Sequence, residues 1–223
     1  MGCGASITIP FTPNELPGQG EEVLEMAETI EFDRLQLGVL LKMFMEIDSD
    51  ESGFIQLNEI SSFFNVGLGG SSILDVLLKG FDVNGNGTLC CVEFVLMIYV
   101  ILSQDFTKLG ELVYCAYFNK NGYKANREEI VKLFELIHNK KFVLTPAIEA
   151  LRIYEGRFKG NVPTEFSISD FADICAVRDT SLTPLFDTIS KMARLVLGTE
   201  FWAEQRHTRK SNPLQSTSAY LYK

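Results

Sequence analysis

Two stretches of this chain, Asp48 to Glu59 (DSDESGFIQLNE) and Asp82 to Glu93 (DVNGNGTLCCVE), carry oxygen-bearing side chains at alternating positions and close on a glutamate at the twelfth. A backbone that aims so many oxygens at one point is a tight loop, and each loop lies between apolar segments patterned for helices. The fold is therefore built from helix–loop–helix units, the first two starting 34 residues apart at 48 and 82. The sixth position is glycine in both, Gly53 and Gly87, where the backbone turn tolerates no Cβ.

This is the spacing of an EF-hand loop, in which oxygens converge on a large, hard cation. The candidate Ca2+ ligands of the first loop are Asp48, Asp50, Ser52, the Phe54 carbonyl and Glu59; those of the second are Asp82, Asn84, Asn86, the Thr88 carbonyl and Glu93. Ile55 and Leu89, at the eighth position, are expected to join the loops as a short strand pair. Two ions are expected. With three ligand carboxylates against two, the first site should be the tighter, both within roughly 10⁻⁷ to 10⁻⁵ M.

The first entering helix is expected over Glu31 to Ile47, with Phe32, Leu35, Val39, Leu40, Met43, Phe44 and Ile47 at helical spacing, and its exiting partner over Leu57 to Val66. Gly67 to Gly70 should break the chain before Ser71 or Ser72 caps the next helix, which carries Ile73, Val76, Leu77 and Phe81. The apolar run Phe94 to Leu102 is far short of the roughly 20 residues that span a bilayer and reads as a buried exiting helix.

The period recurs with damaged loops. Leu109 to Phe118 enters a third loop whose first position is Asn119, sixth Lys124 and twelfth Ile130, with Glu129 one residue early. A fourth runs from Lys159 to Asp170 between Phe158 and Phe171. Neither keeps a ligand set, and both are expected as scaffolds that complete a pair. The expected fold is all-α, of the EF-hand superfamily, with two paired lobes, the first metal-competent and the second degenerate, plus a C-terminal helix.

Met1-Gly2-Cys3-Gly4-Ala5-Ser6 fits the N-myristoylation pattern at Gly2, with Cys3 open to S-palmitoylation. Both are needed for stable anchoring, since one myristoyl chain binds membranes with K of only about 10⁴ M⁻¹. At the other end, Leu185, Ile189, Met192 and Val196 form the stripe of an amphipathic helix closed by Gly198. Phe201 and Trp202 then precede Arg206, His207, Arg209 and Lys210, expected as a solvated basic tail. The segments are thus an acylated N-terminus (1–30), the two lobes (31–105 and 106–178), the C-terminal helix (179–203) and the tail (204–223).

A net charge of −9 argues against nucleic acid as partner. Cys3, Cys90, Cys91, Cys115 and Cys175 form no paired framework, which fits a reducing, cytosolic compartment. The only histidines, His138 and His207, stand in no nucleophile pattern, so catalysis is not expected.

Four repeats starting at 48, 82, 119 and 159 behind an MGC start resemble the calcineurin B-like group of calcium sensors, with neuronal calcium sensors as second choice. That resemblance implies two lobes in one unit and a calcium-shaped apolar groove. It also implies a target presenting an amphipathic helix, in a phosphatase, kinase or transporter. With the acyl chains it points to a sensor on the cytoplasmic face of a membrane, with a cytosolic pool. The alternative is a calcium buffer or a constitutively loaded structural subunit.

Overall fold

Asp33 starts the first helix, α1 (Arg34–Ile47): its carboxylate accepts the Gln36 N–H at 2.8 Å while the Gln36 side chain accepts the Asp33 N–H at 3.0 Å. This reciprocal cap fixes the helix start, three residues beyond the expected Glu31. Leu37, Leu40, Leu41, Phe44 and Ile47 form its buried stripe. Leu35 and Val39, expected on that stripe, are 51% and 42% exposed. Both stand about 200° around the helix from Leu37, so the period was legible and its phase was not.

The computed structural model describes residues 30, 32–66, 68–105, 108–118, 123–139 and 145–211. After α1 come α2 (Leu57–Phe63), α3 (Leu68–Phe81), α4 (Cys91–Ser103), α5 (Leu109–Phe118), β1 (Ala125–Asn126), α6 (Arg127–His138), α7 (Pro146–Gly156), β2 (Glu165–Phe166), α8 (Ile168–Val177), a 3₁₀ turn (Asp179–Leu182), α9 (Thr183–Leu195) and α10 (Thr199–Ser211). The fold is all-α. Helix α2 is shorter than expected because Asn65 turns left-handed, with φ +47°. Helix α3, conversely, runs through Gly69 and Gly70. Each glycine costs about 1 kcal/mol in a helix, and burial of Ile73, Leu74, Val76, Leu77, Leu78 and Phe81 outweighs it.

Helices α1 to α8 make four helix–loop–helix units joined in twos. Ile55 and Leu89 exchange backbone hydrogen bonds at 2.8 and 2.9 Å, as expected. In the second half β1 and β2 pair antiparallel, Ala125 opposite Phe166. The two halves then meet where α3 crosses α5. A Cβ on Gly80 would stand 2.5 Å from the Ala116 Cβ, so this crossing requires glycine, and one continuous core runs through both halves. Helix α4 is buried on almost every side, which accounts for its unbroken apolar run.

The C-terminal region departs from expectation. Helix α9 buries Leu185, Ile189 and Met192 against α3, α4 and α6. The chain then reverses at Leu197 (φ +59°) and Gly198 (φ +86°), and α10 returns along α4. Residues 204–211, expected in a solvated tail, are helical. Trp202 is the anchor: fully buried, its indole N–H donates to the Val196 carbonyl and its ring meets Phe201 and Phe32. Phe32 stands edge-on to Tyr99 of α4 at 5.5 Å. The Arg206 guanidinium donates to the Leu102 carbonyl at the end of α4, at 2.8 Å. Among the described residues, no helix is long and apolar enough to cross a membrane.

Candidate metal centre

The loops 48–59 and 82–93 share one hydrogen-bond frame, position for position. Asp48 accepts the N–H groups of Ser52 and Gly53 at 2.9 and 2.8 Å; Asp82 accepts those of Asn86 and Gly87 at 3.1 and 2.7 Å. At the third position, Asp50 and Asn84 accept the same fifth-residue N–H, at 3.1 and 3.0 Å. The backbone turns left-handed at the fourth position, Glu51 and Gly85, and again at the sixth, Gly53 and Gly87. Side-chain acceptors thus fold each loop over its own amides.

The closing glutamates do two things at once. One oxygen, Oε2, accepts the N–H of the residue that caps the exiting helix: Gln56 for Glu59 and Cys90 for Glu93, both at 2.9 Å. The other, Oε1, reaches back across the loop to the second-position N–H, Ser49 at 3.0 Å and Val83 at 2.9 Å. Both glutamates are buried, so each ties the centre of its loop to the first turn of α2 or α4.

In the first loop, carboxylate oxygens of Asp48, Asp50 and Glu59 all lie within 4.8 Å of one another. The Ser52 hydroxyl stands 3.1 Å from Asp48 Oδ1 and 3.0 Å from the Phe54 carbonyl, so it links the carboxylate cluster to that carbonyl. Hydrogen bonds from the Ser52 hydroxyl and N–H hold the Asp50 carboxyl below its ordinary range. In the second loop Asn84 Nδ2 approaches Glu93 Oε1 at 3.3 Å, and Asn86 Oδ1 accepts the Thr88 N–H and hydroxyl at 2.9 and 2.7 Å. Its ligand acids are Asp82 and Glu93 against three in the first loop, so its ligand charge is one lower. An all-oxygen donor set with clustered carboxylates fits a hard divalent cation of calcium's kind.

The second pair keeps the frame and changes the contents. Asp170 accepts the Ser167 N–H at 2.7 Å, the position expected of a twelfth residue. In the third loop that role falls to Glu129, which accepts the Asn126 N–H at 2.8 Å, and not to Ile130. Helix α5 ends at Phe118, so Asn119 to Glu129 is one residue short of a full loop. Counted back from Glu129, the residue in the glycine position is Tyr123 rather than Lys124. In the fourth, Lys159 and Gly160 turn left-handed where the first ligands would stand.

Sequence reasoning missed this register, the helix α10 and the Arg206 contact. The signal for the register was the pair Asn126 and Glu129, a capping box like those of α2 and α4. His138, the last residue of α6, is half-buried with Nε2 2.8 Å from the Ser181 carbonyl. Burial raises the thiols of Cys90, to about 11, and of Cys91 and Cys175. The candidate lipidation residues Gly2 and Cys3 lie outside the described residues, as do 119–122 of the third loop. No family model matches this chain, and no curated protein matches it either.

Proposed function

We propose that this chain is a non-catalytic calcium sensor of EF-hand construction, holding two ions in the loops 48–59 and 82–93. The observation that carries the reading is the shared frame of those loops: equivalent acceptors at positions one, three and twelve, left-handed turns at four and six, and a backbone bridge at eight. The paired second half, with β1 on β2, supports two paired lobes.

A bound ion supplies two positive charges that gather the loop carboxylates. Glu59 and Glu93 are the residues that would transmit occupancy, because each caps its exiting helix with one oxygen and faces the loop centre with the other. Met97 and Phe64 are buried, and Phe63 and Leu96 are partly buried against the core; these are the groove residues a partner's amphipathic helix would take. Helices α9 and α10 already lie over α4, so such a partner competes with the chain's own C-terminus. Acylation at Gly2 and Cys3 would hold the sensor at the cytoplasmic face of a membrane.

That same cover favours a second reading, in which the ions only stabilise the first pair and nothing opens. Emission of Trp202, the one tryptophan, separates the two. A calcium-driven red shift that Glu59→Gln with Glu93→Gln abolishes marks a sensor. Two ions bound with unshifted emission marks a buffer or structural subunit.

A further inference from the structure

In the first pair, each closing glutamate has one oxygen on the cap N–H of its exiting helix and the other on the second-position N–H of its own loop, with no phenol on either. In the second pair the cap contact is intact, but the remaining oxygen accepts a tyrosine hydroxyl instead of a loop amide. Glu129 Oε1 accepts the Tyr123 hydroxyl at 2.7 Å, and Asp170 Oδ1 accepts the Tyr154 hydroxyl at 2.5 Å. A third phenol joins the two loops. Tyr114 accepts the Ala125 N–H at 3.0 Å, and its hydroxyl lies 2.8 Å from the Phe166 carbonyl and 3.0 Å from that of Tyr123.

The placement of these tyrosines follows the repeat. Tyr114 and Tyr154 both stand five residues before their loops, at 119 and 159; the same positions before 48 and 82 carry Met43 and Leu77. Those two are buried in the core of the first pair, whereas their tyrosine counterparts bring a hydroxyl to the loop base. Tyr123 occupies the place of Gly53 and Gly87 and takes no left-handed turn, which frees its ring to stack on Phe118, centroids 4.9 Å apart. A phenol on a carboxylate is a charge-assisted bond, stronger than a neutral one, and it satisfies an oxygen that would otherwise seek a cation.

We infer that the second pair is a metal-independent lobe in which the Tyr123 and Tyr154 hydroxyls stand in for ions on Glu129 and Asp170, while Tyr114 ties the two loops together. This lobe keeps its frame in every calcium state, and through the Gly80–Ala116 crossing it forms the fixed base on which the first pair moves. The raised ionisation of Tyr154, from burial and then from Asp170, and of Tyr123, from Glu129, agrees with phenols held as donors.

The inference rests on reading the second half as degenerate loops, but its test does not need calcium to bind anywhere. Amide exchange is followed in the full chain, in EGTA and then in millimolar calcium. In the wild type the Asn126 and Ser167 amides are expected to exchange equally slowly in both. Tyr123→Phe should speed Asn126 at least tenfold and Tyr154→Phe should speed Ser167 at least tenfold, each leaving the other loop unchanged. Unaltered exchange in both variants overturns the inference. So does slowing of these amides by calcium in the wild type, a measurement that stands even where a variant fails to fold.

Discussion

Arg206→Ala tests whether α10 is a docked element held from its far end. The guanidinium reaches the Leu102 carbonyl at 2.8 Å, one of the last carbonyls of α4, which has no partner within its own helix. A hydrogen bond to a charged group contributes about 1.5–3 kcal/mol. Arg206 is half-buried, so the lower part of that range applies, about 1.5–2 kcal/mol after solvent screening. At about 1.4 kcal/mol per factor of ten, the undocked population should rise about 10- to 30-fold. Undocking is visible because a helix of 13 residues barely holds itself in water. Amide exchange over residues 199–206 in EGTA should therefore accelerate by that factor, with α6 and α8 unchanged. Exchange that stays at the wild-type rate would refute the argument and leave Trp202 as the sole anchor.

Three further outcomes follow. Glu59→Gln with Glu93→Gln should lower calcium affinity about tenfold or more at each loop and abolish calcium-dependent binding of an apolar dye; an undiminished dye response would contradict the coupling assigned to these residues. Gly80→Val forces a side chain into the Ala116 contact and should cost about 1–3 kcal/mol, lowering Tm by roughly 2–12 °C; an unchanged melt would mean the halves do not share a core. Burial first of all raises Tyr114, to about 12, and Tyr154, while the Glu129 hydrogen bond raises Tyr123. Their folded values exceed the unfolded value near 10, so the stability they lend is complete below about pH 10 and is lost as pH rises through the raised values. The urea midpoint should fall above about pH 10 in the wild type and fall less steeply in Tyr123→Phe with Tyr154→Phe.

The features legible in the sequence are those with a local cause. Position-by-position ligand chemistry needs particular side chains at particular spacings, so the frames of 48–59 and 82–93 and the bridge of Ile55 to Leu89 could be read directly. The fourth loop was placed correctly for the same reason, with Asp170 closing it. What was hidden depended on distant partners. Gly69 and Gly70 read as a break because their cost is local, whereas the burial that overrides it is not. Leu35 and Val39 fit the period of α1 but not its phase, which α4 decides. The third loop was set out from Asn119 forward, yet its register is fixed from Glu129 backward, by a cap on Asn126. Arg206 looked like one charge in a basic tail, and only the carbonyl end of α4 gives it a partner.

The central claim is two calcium ions, both in the first pair. Calorimetric titration of the full chain with calcium, in millimolar magnesium, tests it most directly. The account predicts two sites, both between about 10⁻⁷ and 10⁻⁵ M, the tighter lost in Glu59→Gln and the weaker in Glu93→Gln. No heat of binding, or sites that survive both substitutions, would contradict it.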